Sequence, residues 1–210
     1  MGPHDGAPVA YAGRPLADAG AAMLMVHGRG ASPASILTLV DAFDHPGFAY
    51  VAPGAAGGAW YPYSFMAEPE RNEPWLSSAL ARVGDVLADV IAHGIPASRI
   101  ILLGFSQGAC LAAEFAVRNA TRFGGVIAYS GGLIGPPGTT WERDGTFDGT
   151  PVFLGCSDVD AHVPLERVDE SADVFERMGA RVTKRIYPGM GHLVNEDELA
   201  FTRALMHDIV

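Results

Sequence analysis

Cysteine is scarce in this chain of 210 residues: Cys110 and Cys156 are the two present, and neither belongs to a C-x-x-C pair. That excludes a disulfide-stapled secreted scaffold and a cysteine-based zinc site, and it makes a reducing, cytoplasmic setting the expectation. Positive charge is also short, with 14 Lys and Arg against 24 Asp and Glu and a formal net charge of -10. Nucleic acid and anionic bilayers select for clustered Lys and Arg, so the composition points to a small-molecule partner. Apolar runs such as Ala21 to Val26 fall far short of the ~20 residues that span a bilayer. The first residues contain neither a signal-type apolar region nor, at Gly6, the Ser or Thr of a myristoylation signal. No membrane insertion and no targeting segment are therefore expected.

What is present is a globular balance, 49% hydrophobic and 18% charged, at a length that fits a single domain over residues 1–210. Short apolar runs alternate with segments of helical period, the pattern of a mostly parallel sheet with helices on both faces. The strands expected are Ala22 to Val26, Phe48 to Ala52, Arg99 to Leu103, Gly125 to Tyr129, Pro151 to Leu154 and Arg181 to Tyr187. Between them, helices are expected over Ser35 to Phe43, entered through Ser32 and Pro33, and from Pro74 to Gly94, where Leu76, Leu80, Val83, Leu87, Val90 and Ile91 recur. Further helices run from Gln107 to Asn119 and from Pro164 to Gly179, the latter with Leu165, Val168, Ala172, Phe175 and Met178 inward. Asn195 and Glu198 form a capping box for the closing helix. Two Gly- and Pro-rich stretches without period, Gly54 to Arg71 and Gly131 to Thr150, are long enough to carry function.

The chemistry concentrates at Gly104-Phe105-Ser106-Gln107-Gly108, a G-x-S-x-G directly after an apolar strand and directly before a helix. A serine on such a turn projects its hydroxyl above the sheet, and flanking glycines relieve the crowding. Serine is a weak nucleophile and needs a base, itself oriented by a third group. His192, just past the last strand, is the expected base. The acid should lie between them in the chain, and the loop Gly155 to Pro164 offers Asp160 and Asp158; Asp160, four residues before the helix-opening Pro164, is favoured, with Asp158 ordering the loop. His27-Gly28-Arg29-Gly30 follows the first strong strand, and the Arg29 and Gln107 N–H groups are the expected oxyanion donors. The Arg29 side chain could take an anionic substrate group or pair with a carboxylate.

His4, His45, His93 and His207 show no metal-ligand spacing and are expected to be solvated, and Cys110 to be a small core residue. No metal or cofactor is called for. Trp60, Tyr61, Phe65 and Met66, and Leu133 with Ile134, either line the substrate pocket or pack their loops onto the body. A non-catalytic binding protein on the same scaffold is the competing class, and the intact Ser-His-Asp set argues against it.

Together, G-F-S-Q-G at 104–108, D-x-x-V-P at 160–164 and Y-P-G-M-G-H at 187–192 resemble the phospholipase/carboxylesterase family of α/β-hydrolases, related to acyl-protein thioesterases and dienelactone hydrolases. The resemblance implies an α/β-hydrolase fold with a small or absent cap, and a cofactor-free serine esterase acting on a short-acyl ester, often as a homodimer. Lysophospholipase or thioesterase activity is the alternative within the family. The chain departs from the thioesterase pattern H-G-x-G-D at Arg29-Gly30-Ala31, has Ser106 where dienelactone hydrolases carry Cys, and has an acid loop two residues longer than the common one.

Overall fold

The computed structural model describes residues 2–43 and 45–210. Their strands form one sheet: β1 (Val9–Gly13), β2 (Ala21–Val26), β3 (Phe48–Pro53), β4 (Ile100–Phe105), β5 (Gly125–Tyr129), β6 (Pro151–Ser157) and β7 (Arg181–Tyr187). Their order is β1-β3-β2-β4-β5-β6-β7. Every neighbouring pair is parallel except β1 with β3, which is antiparallel. Six α-helices flank the sheet: α1 (Pro33–Leu37), α2 (Val40–Phe43), α3 (Trp75–Ala92), α4 (Gln107–Arg118), α5 (Leu165–Arg177) and α6 (Glu196–His207).

Side chains alternate across a strand, so each central strand feeds two cores. From β2, Ala22, Leu24 and Val26 join the core under α3 and α4, whereas Ala21, Met23 and Met25 join the opposite core with Ile36, Phe43, Leu205 and Met206. Burial on both faces is why β2 and β4 read as unbroken apolar runs. The edge strand β1 was not foreseen: it is five residues long, only partly buried, and ends at Gly13 with φ +71°. Too short for a period to show, it takes its stability from the pairing with β3.

The helix expected over residues 35–43 is two short ones. Ser32 and Ser35 form a reciprocal capping box at the start, with Pro33 in the first turn. The Thr38 hydroxyl then donates to the Ser35 carbonyl at 2.8 Å where the first helix stops. Two apolar positions also face outward against expectation, Ile91 and the first-turn residue Leu165. In α5 the buried place goes instead to Arg167. The capping box of Asn195 with Glu198 forms as expected. It draws Glu198 under the sheet, where Gly155 leaves room for it: a Cβ there would lie 2.1 Å from Oε1 of Glu198. Burial, with help from Asp197 and against a backbone hydrogen bond at Asn195, pushes this carboxyl up to about 7.

Candidate active site

Parallel strands deliver their C-terminal ends to one edge, and the candidate residues gather there. Ser106 occupies the single residue between β4 and α4 with φ 56° and ψ −123°. Holding a non-glycine residue there costs roughly 1–3 kcal/mol, supplied by the surrounding packing. A Cβ on Gly104 would lie 2.2 Å from the Gly108 carbonyl oxygen, and one on Gly108 would lie 2.1 Å from that of Val26. The strand and helix can approach this closely only with glycine at both places. Hydrogen bonds from the Ser106 N–H to the Tyr129 carbonyl (2.9 Å) and from the Cys110 N–H to the Ser106 carbonyl (3.0 Å) hold the turn.

The Ser106 Oγ lies 2.8 Å from Nε2 of His192, whose Nδ1 lies 2.7 Å from Oδ2 of Asp160. With Nδ1–H donating to the carboxylate, Nε2 is left to accept the serine proton. The Asp160 side chain is fully buried. Its other oxygen accepts the N–H groups of His162 (2.8 Å) and Val163 (3.0 Å). Burial alone would raise this carboxyl, but the hydrogen bonds from His192 and from those two amides outweigh it and hold it below the ordinary range. Asp158 instead accepts the Gly189 N–H at 2.8 Å, and the Ser157 hydroxyl accepts that of Gly191 at 3.1 Å. These two bonds fasten the loop that carries His192, which passes through positive φ at both glycines. The His192 ring sits between the rings of Phe105 and His162, at 5.1 and 4.7 Å between centroids.

On the other side of Ser106, the N–H groups of Arg29 and Gln107 have no acceptor among the described residues. His27 steadies the Arg29 turn. Its Nε2 accepts the Ala55 N–H (3.2 Å), so the proton is on Nδ1, which donates to the Gly28 carbonyl (2.8 Å). Burial, partly offset by that carbonyl, lowers the pKa of His27 and favours the neutral ring. Among the described residues the Arg29 guanidinium pairs with no carboxylate; it donates to the carbonyls of Pro62 (2.9 Å) and Tyr63 (2.8 Å). The Gln107 side chain grips the same loop, its Oε1 accepting the Trp60 N–H and its Nε2 donating to the Tyr61 carbonyl, both at 2.9 Å.

A cleft of about 550 Å³ opens over Ser106, with Arg29, Tyr61, Phe65, Gln107 and His162 among its walls. Phe65 thus stands where a pocket residue should. Trp60 and Leu133 do not: both are fully buried and neither borders the cleft. The Trp60 indole N–H donates to the His27 carbonyl at 2.9 Å, which turns the ring into the body. Leu133 is held inward by its N–H to the Ser171 hydroxyl (2.9 Å) and its carbonyl to Arg167 (2.9 Å). His4, expected in solvent, is fully buried between the rings of Trp60 and Trp75. A second hollow of about 660 Å³, between residues 139–144 and the end of α5, is lined mainly by charged side chains and lies apart from Ser106. Among the described residues, no cluster of three or more His, Cys, Asp or Glu could hold a metal ion.

Sequence reasoning passed over His162 as a wall of the cleft, although its place two residues after Asp160 was a usable signal. It also read Gln107 as a backbone donor alone. Nothing local indicates that the Gln107 side chain reaches a loop more than forty residues away.

Comparison with known proteins agrees with this architecture. A crystal structure of a phospholipase/carboxylesterase from Dyadobacter fermentans superposes with a TM-score of 0.94 at 42% identity, covering 99% of each chain. Acyl-protein thioesterase 1 of Debaryomyces hansenii is 26% identical over 165 residues, 77% of this chain and 69% of that protein. The Neurospora crassa protein of the same name is 29% identical over 135 residues, and this chain spans only 53% of its length. The crystal structure of Zea mays acyl-protein thioesterase 2 shares the fold, with a TM-score of 0.74 at 18% identity over 97% of this chain and 99% of that one. Residues 14–207 match the phospholipase/carboxylesterase family, and with the elbow, sheet order and relatives in agreement, this chain belongs to that family of α/β-hydrolase carboxylic ester hydrolases.

Proposed function

We propose that this chain is a serine carboxylesterase that hydrolyses short-to-medium acyl esters through an acyl-enzyme on Ser106. The observation that carries the reading is the hydrogen-bonded relay from Ser106 through His192 to Asp160, beside two amides that lack acceptors among the described residues. The Ser106 oxygen attacks the ester carbonyl carbon while His192 Nε2 takes the hydroxyl proton. The carbonyl oxygen becomes an oxyanion facing the N–H groups of Arg29 and Gln107, a stabilisation of about 3 kcal/mol per donor. Collapse breaks the bond to the alcohol, which leaves with the proton from His192. Water, deprotonated by the same imidazole, then releases the acid and restores Ser106. Asp160 keeps His192 in the productive tautomer and stabilises its cationic form.

The names of the fungal relatives favour a second reading, hydrolysis of acyl thioesters. Both use the same relay, so acyl length and leaving atom separate them. Two free, buried thiols fit the reducing cytoplasm as the place of action.

The test is hydrolysis of p-nitrophenyl acetate, butyrate and octanoate, alongside butyryl and octanoyl thioesters, by wild type, Ser106→Ala, Asp160→Asn and Asp158→Asn. Expected are turnover falling from butyrate to octanoate, its loss in Ser106→Ala, and a deep loss in Asp160→Asn with a shallow one in Asp158→Asn. Undiminished turnover by Ser106→Ala contradicts the reading; preference for octanoyl thioester replaces it with the second.

A further inference from the structure

Tyr61 and Cys110 both border the cleft although each is only 1% exposed, which marks them as its inner end. Cys110 follows Ser106 by one turn of α4, so this end lies about 6 Å along the helix from the nucleophile. Phe65 and Val163 are among the apolar residues that line the same cleft. The Tyr61 hydroxyl is shut away from water and has no oxygen or nitrogen partner among the described residues. Its polar neighbour is the Cys110 thiol, a weak partner.

A buried polar group left without a partner costs about 1–3 kcal/mol, while an apolar phenylalanine ring would fill the same place without that cost. The group therefore stands ready for a partner that enters with the ligand. Stereochemistry names the part that enters. In the tetrahedral intermediate the leaving oxygen must face His192 and the oxyanion must face Arg29 and Gln107, which leaves the inner end to the acyl group.

We propose that the Tyr61 hydroxyl is a specificity-determining donor at the end of the acyl pocket, selecting acyl groups that carry an ether, hydroxyl or carbonyl oxygen near their far end over plain alkyl chains of the same size. This rests on the esterase reading above. Burial, reinforced by the Cys110 thiol, holds the phenol well above its ordinary range, so the donor keeps its proton wherever the enzyme works. A pocket built around a hydrogen bond rejects the analogue that lacks it more strongly than an apolar pocket rejects a methylene.

The experiment compares p-nitrophenyl methoxyacetate with its isostere butyrate, and p-nitrophenyl 3-methoxypropanoate with pentanoate, for wild type, Tyr61→Phe and Ser106→Ala. Each ratio of kcat/KM values, ether over alkyl, is divided by the same ratio for Tyr61→Phe, which cancels the intrinsic reactivity of the esters. Expected is a fall of about tenfold in at least one ether-to-alkyl ratio on removing the hydroxyl, with a melting temperature equal to or above wild type because only an unsatisfied oxygen is lost. Ratios that stay within twofold overturn the proposal while leaving the esterase intact. Turnover that survives in Ser106→Ala overturns the esterase reading and takes this proposal with it.

Discussion

Two long loops without regular period approach the catalytic edge, and they are held by largely different means. The stretch 54–72 is fastened mainly by neutral groups: His4 Nε2 donates to the Trp60 carbonyl (2.8 Å), His4 Nδ1 and His27 Nε2 accept the Ala56 and Ala55 amides (3.1 and 3.2 Å), and Gln107 takes both sides of the next peptide units, with the Arg29 guanidinium adding bonds to the Pro62 and Tyr63 carbonyls. The stretch 131–150 is fastened by buried charge. The Arg167 guanidinium serves the carbonyls of Leu133, Gly135 and Pro136 and lies over the Trp141 ring, and Glu114 accepts the Ile134 amide. The first loop lines the cleft and the second is closed off from it except through neighbours. Neutral fastening lets a wall be built from the same Gln107 whose amide faces the oxyanion, while the charged Arg29 at the cleft spends its guanidinium on the Pro62 and Tyr63 carbonyls. Arg167 and Glu114 do not themselves line the cleft, and Arg167 meets its wall through the Phe65 ring, whose centroid is 5.9 Å from the guanidinium carbon.

The largest expected break in this contrast is Arg167→Ala. It orphans three carbonyls and a buried charge network and should cost about 3–5 kcal/mol in chemical denaturation, while the folded enzyme keeps its kcat/KM close to wild type. A loss of activity without a loss of stability would place Arg167 in the site rather than in the frame.

Next in size is a pH effect that belongs to neither loop. The folded-state pKa of Glu198 is about 7 against an ordinary 4.5. The native state therefore holds an extra proton between these values, and its stability falls as pH rises through them. Glu198→Gln should flatten that alkaline decline, by up to about 3 kcal/mol between pH 4.5 and 8, in denaturant midpoints measured across that range. An unchanged profile would assign the decline elsewhere.

Gln107→Ala keeps the backbone donor but frees the Trp60 amide and Tyr61 carbonyl. It should cost about 2 kcal/mol in stability and on the order of 100-fold in kcat/KM, since small displacements of a site wall are costly. Equal losses of stability with full activity would show that the loop's position does not matter to catalysis.

The smallest effect is acid loosening of the first loop alone. Burial lowers the pKa of both His4 and His27 below 6.5, against hydrogen bonds to backbone carbonyls. Their contribution to stability is complete above 6.5 and is lost as pH falls toward the lower folded-state values, when Nδ1 of His4 and Nε2 of His27 can no longer accept. Hydrogen exchange of the Ala55, Ala56 and Trp60 amides should quicken between pH 6.5 and 5 after correction for intrinsic rates, while the Leu133 and Ile134 amides hold. Parallel quickening in both loops would erase the distinction.

The same contrast explains what could be read in advance. The meeting of Ser106, His192 and Asp160 was legible because the elbow glycines, the strand ends and the helix-opening Pro164 are all local signals. So was the capping of α6, whose partners are three residues apart. The inward turn of Trp60 and the closure over Leu133 were not, because each is decided by a polar bond to a residue 33 or more positions away. The burial of His4 likewise depends on Trp60, Trp75 and Ser78, none of them its sequence neighbours. The edge strand β1 escaped for a different reason, since half-exposed residues with a partner forty positions on leave no period to detect.

The central claim, that Ser106 is a nucleophile activated by His192 and Asp160, is tested most directly by covalent trapping. Treatment with a fluorophosphonate, followed by intact-mass and peptide mass spectrometry, should add one phosphonyl group per chain, located on Ser106, with none on Ser106→Ala and slow labelling of Asp160→Asn. A wild-type chain that stays unmodified, or takes the label elsewhere while Ser106 remains free, would contradict it.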